Sequence, residues 1–159
     1  MQSVLDAPTR IAASGDKARG PGGKYLIFQL DNEEYGVATR KVREILALMD
    51  ITRAPRTPDF ADGVINLRGK VVPAIDLRSK LGLARTEYNE QTCIIVVDVG
   101  VLMGIIVDAV SEVNDIPSAS IAPPPRLGGT VDTSLILGMG SFEDQVKILL
   151  DIDKVLARQ

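Results

Sequence analysis

A chain of 159 residues, 45% hydrophobic and 25% charged, has apolar surface for one compact domain or two very small fused ones. Histidine is absent and Cys93 is the single cysteine, so no internal disulfide can form and the commonest general base and zinc ligand is missing. The net charge of −3 argues against nucleic acid as a partner, and no apolar run reaches the roughly 18 residues of a membrane span or forms a secretory signal. These features predict a cytoplasmic protein without direct membrane insertion.

Residues 1–23 mix Pro, Gly, Ser, Ala and isolated charges without a period and end in "RGPGGK", the pattern of a flexible tail. From Lys24 short strand-like runs take over: "KYLIFQLD", "EEYGVAT", "GVINLR" and "KVVPAID", separated by turn residues such as Asp31-Asn32. Helices should be few and short. Candidates are "RKVREILAL", "TPDFAD" with Thr57 as N-cap, "DLRSKL" capped by Asp76 and stopped by Gly82, and the C-terminal "DIDKVLAR". A second strand series follows in "QTCIIVVDV", "LMGIIVD", "SEVNDI", "SLILGMG" and "QVKILLDI".

The second series repeats the first. A shift of 68 positions carries Gly36 to Gly104, Val42 to Val110, Glu44 to Glu112 and Ile45 to Val113. A shift of 75 carries Gly63 to Gly138, Val71 to Val146 and Asp76 to Asp151. The extra seven residues fall around "PPPRLGG", where a loop absorbs an insertion. Five short strands with little helix cannot bury both faces of a flat sheet. A mainly β fold is therefore expected, with each repeat, about 24–85 and about 90–156, closing into a small barrel packed on the other. Charge divides along the same line. Residues 40–85 carry ten Lys and Arg against five Asp and Glu, and residues 86–159 carry four against eleven, which suits two unlike partners or reflects solvated faces alone.

Asp76 and Asp151 occupy matching places and invite comparison with a paired-aspartate protease. Their contexts, "DLR" and "DID", lack the small residue and glycine of such a loop and precede helix-like segments, so helix capping is the stronger reading. "GPGGK" lacks the first Walker glycine, and no cluster of His, Cys or carboxylates suggests a metal or other cofactor. Ser79-Lys80 are helix neighbours that do not face each other. Catalysis has no positive support, and binding remains. In "GVINLRG" alternation puts Ile65 and Leu67 on one face and Asn66 and Arg68 on the other. Arg68 is then either a solvated turn residue or an arginine anchoring an interface. Cys93, in "TCIIVVDV", reads as buried and inert.

Together "EYGV", "KVREI", "TPDFADGVINLRGKVVPAIDLR", "GIIVDAVSEV" and "ILLDIDKVL", in order from Lys24 to Leu156, resemble the bacterial chemotaxis coupling protein family, CheW. The resemblance implies two SH3-like five-stranded barrels around a shared core, and a non-enzymatic adaptor. It implies two partners: the regulatory domain of the chemotaxis histidine kinase, CheA, and the helical cytoplasmic tips of chemoreceptors, in arrays beneath the membrane. By position it puts Thr39, Val42, Glu44, Arg68 and Val71 along the receptor groove, with Cys93 approaching it. Kinase contacts would use apolar surface at the barrel ends, with no single residue assigned. Ending soon after "DKVLARQ", the chain reads as a freestanding coupling protein. A chemosensory-like motility pathway is the alternative within the family, and a small β-barrel enzyme is the alternative outside it. An oligonucleotide-binding barrel is disfavoured by three Phe, three Tyr, no Trp and a negative charge.

Overall fold

The computed structural model describes residues 22–53, 61–124 and 131–157. Most of the expected tail and the start of "TPDFAD", Thr57 included, lie outside these residues. Eleven strands are described: β1 (Gly23–Leu30), β2 (Glu33–Ala38), β3 (Val42–Ala47), β4 (Gly63–Leu67), β5 (Lys70–Asp76), β6 (Cys93–Asp98), β7 (Leu102–Val107), β8 (Ala109–Ile116), β9 (Ile121–Ala122), β10 (Ile136–Phe142) and β11 (Gln145–Leu150). Two four-residue helices follow the last strand of each repeat, α1 (Leu77–Lys80) after β5 and α2 (Ile152–Val155) after β11. The fold is mainly β, with two sheets and few short helices.

Three hairpins turn on two residues with positive φ: Asp31 (52°) and Asn32 (67°), Arg68 (49°) and Gly69 (85°), Glu143 (52°) and Asp144 (64°). Such turns match the right-handed twist of the strands they join, and Asn, Asp and Gly tolerate the left-handed region best. At two other places this chemistry is absent. "ATRKV" between β2 and β3 and "VDA" between β7 and β8 contain no glycine and no residue with positive φ, so at these two places the chain does not fold back on itself.

That difference corrects the expectation that each repeat closes into its own barrel. One sheet has the order β8-β1-β2-β11-β10-β9, and the other β3-β6-β7-β5-β4. Each repeat gives its first two strands to one sheet and its remaining strands to the other. The exchanged parts meet in parallel seams, β2 beside β11 with Gly36 opposite Leu149, and β7 beside β5 with Gly104 opposite Ala74. The shifts of 68 and 75 convert one pair into the other. The sheets close alike too: Thr52, beyond β3, bridges to Val64 of β4, and β9, beyond β8, pairs with β10.

The segment "RKVREILAL" is also corrected, because it is a 3-10 turn at Thr39–Lys41 followed by β3 rather than a helix. Along β3 exposure alternates, with Arg43, Ile45 and Ala47 outward and Val42, Glu44 and Leu46 partly covered, and the strand pairs with β6. Pairing with an apolar strand outweighs the modest helix preference of Arg, Glu and Leu.

Three apolar clusters hold the molecule together. Ile65, Leu67, Val72, Ala74, Ile94, Val96 and Ile106 fill one barrel, and Tyr25, Ile27, Ile116, Ile121 and Leu149 fill the other. The largest lies between them and takes side chains from both sheets, among them Phe28, Tyr35, Val37, Ile75, Ile95, Ile105 and Leu150, with Leu156 beyond α2. Gly63 and Gly138 sit where the closing segment crosses. A Cβ on Gly138 would stand 2.5 Å from Ile121 Cγ2 and 2.8 Å from the Ala122 carbonyl oxygen, and one on Gly63 would stand 2.7 Å from Ile51 Cγ2 and 2.9 Å from the Thr52 carbonyl oxygen. Gly138→Ala is expected to cost about 2 kcal/mol through overpacking. Urea unfolding tests this, and a loss below about 0.5 kcal/mol would show that β9 can move aside.

Candidate functional site

The β4–β5 tip is set by its own sequence. Asn66 Oδ1 accepts a hydrogen bond from the Gly69 amide at 3.0 Å, bracing the turn and holding Arg68 in the left-handed region with its side chain outward. From there Arg68 reaches β3. Its Nη1 donates to Glu44 Oε2 at 3.0 Å and its Nη2 to Glu44 Oε1, a two-pronged pair that suits the planar guanidinium. The hydrogen bond from Arg68 holds the Glu44 carboxyl below its ordinary pKa. In the second repeat Glu143 takes the place of Arg68 and Glu112 that of Glu44. The barrel turn therefore does not require this ion pair.

Of the residues singled out from sequence, Arg68 and Glu44 are in direct contact, and Val71 stands beside them. Val71 pairs with Asn66 across the hairpin, and its side chain is 67% exposed. Thr39 lies half-buried in the 3-10 turn, and Val42, also half-buried, packs its inner side on the central core. Cys93 lies further along the β3–β6 ladder, opposite Ala47, whereas Glu44 is opposite Val96. It is half-buried rather than buried, and its Sγ donates to the Gln91 carbonyl oxygen at 3.2 Å. Sequence reasoning missed Val101, 60% exposed beside Gly100 at the β6–β7 turn. The available signal was an apolar residue where turn chemistry favours a polar one.

The matching aspartates act as caps. Asp76, only 2% exposed, accepts at Oδ1 from the amides of Arg78 (2.9 Å) and Ser79 (3.4 Å), and Asp151 accepts from the Lys154 amide at 3.3 Å. Asp76 Oδ2 accepts from the Tyr88 hydroxyl at 2.8 Å. Burial, and then this bond to a carboxylate, raise the Tyr88 pKa. Arg85 pairs with Asp62, whose Oδ2 accepts from the Asp76 amide at 2.6 Å, so the connector between repeats is tied to the end of β5.

A second polar knot joins the two sheets. Arg78 on α1 donates from Nε and Nη2 to Asp108 at 2.9 and 2.7 Å, and from Nη1 to the Ala84 carbonyl oxygen at 2.9 Å. Asp108, in the crossover from β7 to β8, also accepts from the Asp31 amide at the β1–β2 turn at 3.0 Å. The hydrogen bonds from Arg78 are the main cause that lowers the Asp108 pKa. A cavity of about 230 Å³ lies against both knots, lined in part by Asp76, Arg78, Tyr88 and Asp108. These four side chains are all hydrogen-bonded to protein partners. Among the described residues no group of His, Cys, Asp or Glu could hold a metal ion, and no helix is long and apolar enough to cross a membrane.

Residues 24–159 match the family model described as CheW-like domain. The chain is 42% identical over 139 residues to a chemotaxis protein CheW of Klebsiella aerogenes, covering 87% of this chain and 84% of that protein. It is 34% identical over 158 residues to protein FrzA of Myxococcus xanthus, covering 96% of each. Among solved structures it is similar to the scaffolding protein TtCheW from Thermoanaerobacter tengcongensis. That match has a TM-score of 0.77 and 36% identity, and covers 87% of this chain and 95% of the other.

Proposed function

This chain belongs to the CheW-like family, and from that premise we propose that it is a non-enzymatic cytoplasmic adaptor that couples chemoreceptor tips to the regulatory domain of a chemotaxis histidine kinase. The observation that carries the receptor half of this reading is the β4–β5 tip. A two-pronged Arg68–Glu44 pair stands there beside an exposed Val71, on a surface whose counterpart in the other barrel lacks the arginine. Arginine with an apolar neighbour is a common anchor in protein interfaces. Thr39 and Val42 extend this surface along β3, and Cys93 lies at its far end. An adaptor needs no chemistry, in keeping with Asp76 and Asp151 serving as helix caps. Kinase output changes if the two bindings are coupled through different affinities for two kinase states.

Reconstitution tests the proposal. Adding the protein to purified kinase and receptor-containing membranes is expected to make kinase activity depend on receptor and respond to attractant. Kinase output that ignores its addition would overturn the reading. The match to FrzA over 96% of each chain supports a chemosensory-like motility pathway as a second reading, and the same assay with receptors of such a pathway separates the two.

A further inference from the structure

Val71 and Val101 are the two most exposed large apolar side chains of the described residues, at 67% and 60%. They belong together. In β5, Val72 and Ala74 face into the barrel while Ile75 faces the central core, and in β7, Ile106 faces in while Met103 and Ile105 face the central core. Val71 and Val101 therefore share the outer face with Ile75, Met103 and Ile105. Continued three residues back along both segments, beyond the paired residues 74–76 and 104–106, the parallel register of β5 and β7 puts Val71 and Val101, the latter just before β7, at the same level. They form the open end of a row whose other end is covered by the second barrel.

The other barrel carries a counterpart with opposite charge. Val146, 56% exposed, corresponds to Val71, but Glu33 stands where Val101 does, Gln145 where Lys70 does and Glu143 where Arg68 does. Val146, Glu33, Glu34 and Gln145 line a shared concavity. Each end of the central core thus opens to solvent, one end apolar and edged by Lys70 and the Glu44-paired Arg68, the other edged by Glu33, Glu143 and Glu34, the last paired with the buried Lys147.

We propose that Val101 joins Val71 in a docking surface for a partner segment that presents apolar side chains flanked by carboxylates, and that charge decides which of the two ends this segment takes. The proposal rests on the adaptor reading and specifies the chemistry of its receptor. Paired valines supply an apolar seat, and Lys70, beside the Glu44-paired Arg68, attracts carboxylates and repels cationic competitors. The acidic end, similar in backbone, rejects the same segment by like charge.

The experiment titrates purified receptor cytoplasmic fragment, and separately the kinase regulatory domain, against the unaltered protein, Val101→Glu and Val146→Glu. Both positions are exposed, so both variants should fold, which circular dichroism and sedimentation check. Val101→Glu is expected to weaken receptor binding by about tenfold or more, and Val146→Glu by less than about twofold. Kinase binding should hold in both, and added salt should weaken the unaltered complex. If unaltered protein binds the fragment and Val101→Glu binds it equally well, the inference fails and the adaptor reading stands. Equal loss with Val146→Glu overturns the choice between ends. A change in oligomeric state, or loss of kinase binding, with Val101→Glu would show that a second copy or the kinase covers the valines. If the unaltered protein binds no fragment, the receptor half of the adaptor reading fails and takes this inference with it.

Discussion

Arg68→Glu is expected to lower affinity for receptor cytoplasmic fragments by about tenfold or more while leaving the fold and kinase binding nearly intact. The fold should survive because the second barrel already holds a glutamate at the equivalent turn position, Glu143, at φ 52° against 49° for Arg68. The substitution removes the two hydrogen bonds to Glu44 and places two carboxylates at one partner surface, turning attraction into repulsion. A second variant, Arg68→Glu with Glu44→Arg, separates two roles. It can restore the ion pair but not the position of the guanidinium, so binding should stay weak if Arg68 touches the partner. Recovery in the double variant would show that the ion pair only braces the tip. Normal receptor binding by Arg68→Glu, measured by calorimetry, or global unfolding of the variant, would refute the anchoring role.

The largest expected loss of stability comes from Arg78→Met, about 3 kcal/mol. The methionine keeps much of the apolar stem but leaves Asp108 without the guanidinium and removes the donor to the Ala84 carbonyl oxygen. It also cuts the link that holds α1, the β7–β8 crossover and the β1–β2 turn together. A pH dependence should accompany the loss. Because Arg78 lowers the Asp108 pKa in the folded protein, its contribution is present above the ordinary carboxylate pKa near about 4. It fades as pH falls through the lower folded value. Urea unfolding should therefore show a large gap between unaltered protein and Arg78→Met at neutral pH that narrows below pH of about 4. A gap that stays constant into acid would assign the stabilisation to packing of the arginine stem.

Much of the fold was legible from local chemistry. The turn at Asp31-Asn32, the alternation in "GVINLRG", and the caps at Asp76 and Asp151 each depend on neighbours within a few residues, and each is present. The duplication was legible too, down to the glycines at 36 and 104 that meet the parallel seams. The pairing of strands across repeats was not, because periodicity records which face a side chain takes and not which strand lies beside it. The segment from Arg40 to Leu48 misled for a related reason. Its spacing of Val42, Ile45 and Leu46 fits a helix, and only pairing with β6 decides for a strand. At the candidate site, alternation could place Arg68 outward but could not supply Glu44, which lies 24 residues away. Val101 escaped because a lone apolar residue at a turn carries no period.

The exchange of strands between the repeats bears on how such a molecule arises. Neither repeat can complete a sheet by itself, yet two copies of one five-strand unit related by a twofold axis would complete both. The present chain has the geometry of such an intertwined homodimer with its two halves joined by the connector between α1 and β6. Within one chain the two halves need not be identical. One barrel can then carry the arginine and valines at its tip while the other is acidic, an asymmetry that a symmetric dimer of identical chains cannot encode.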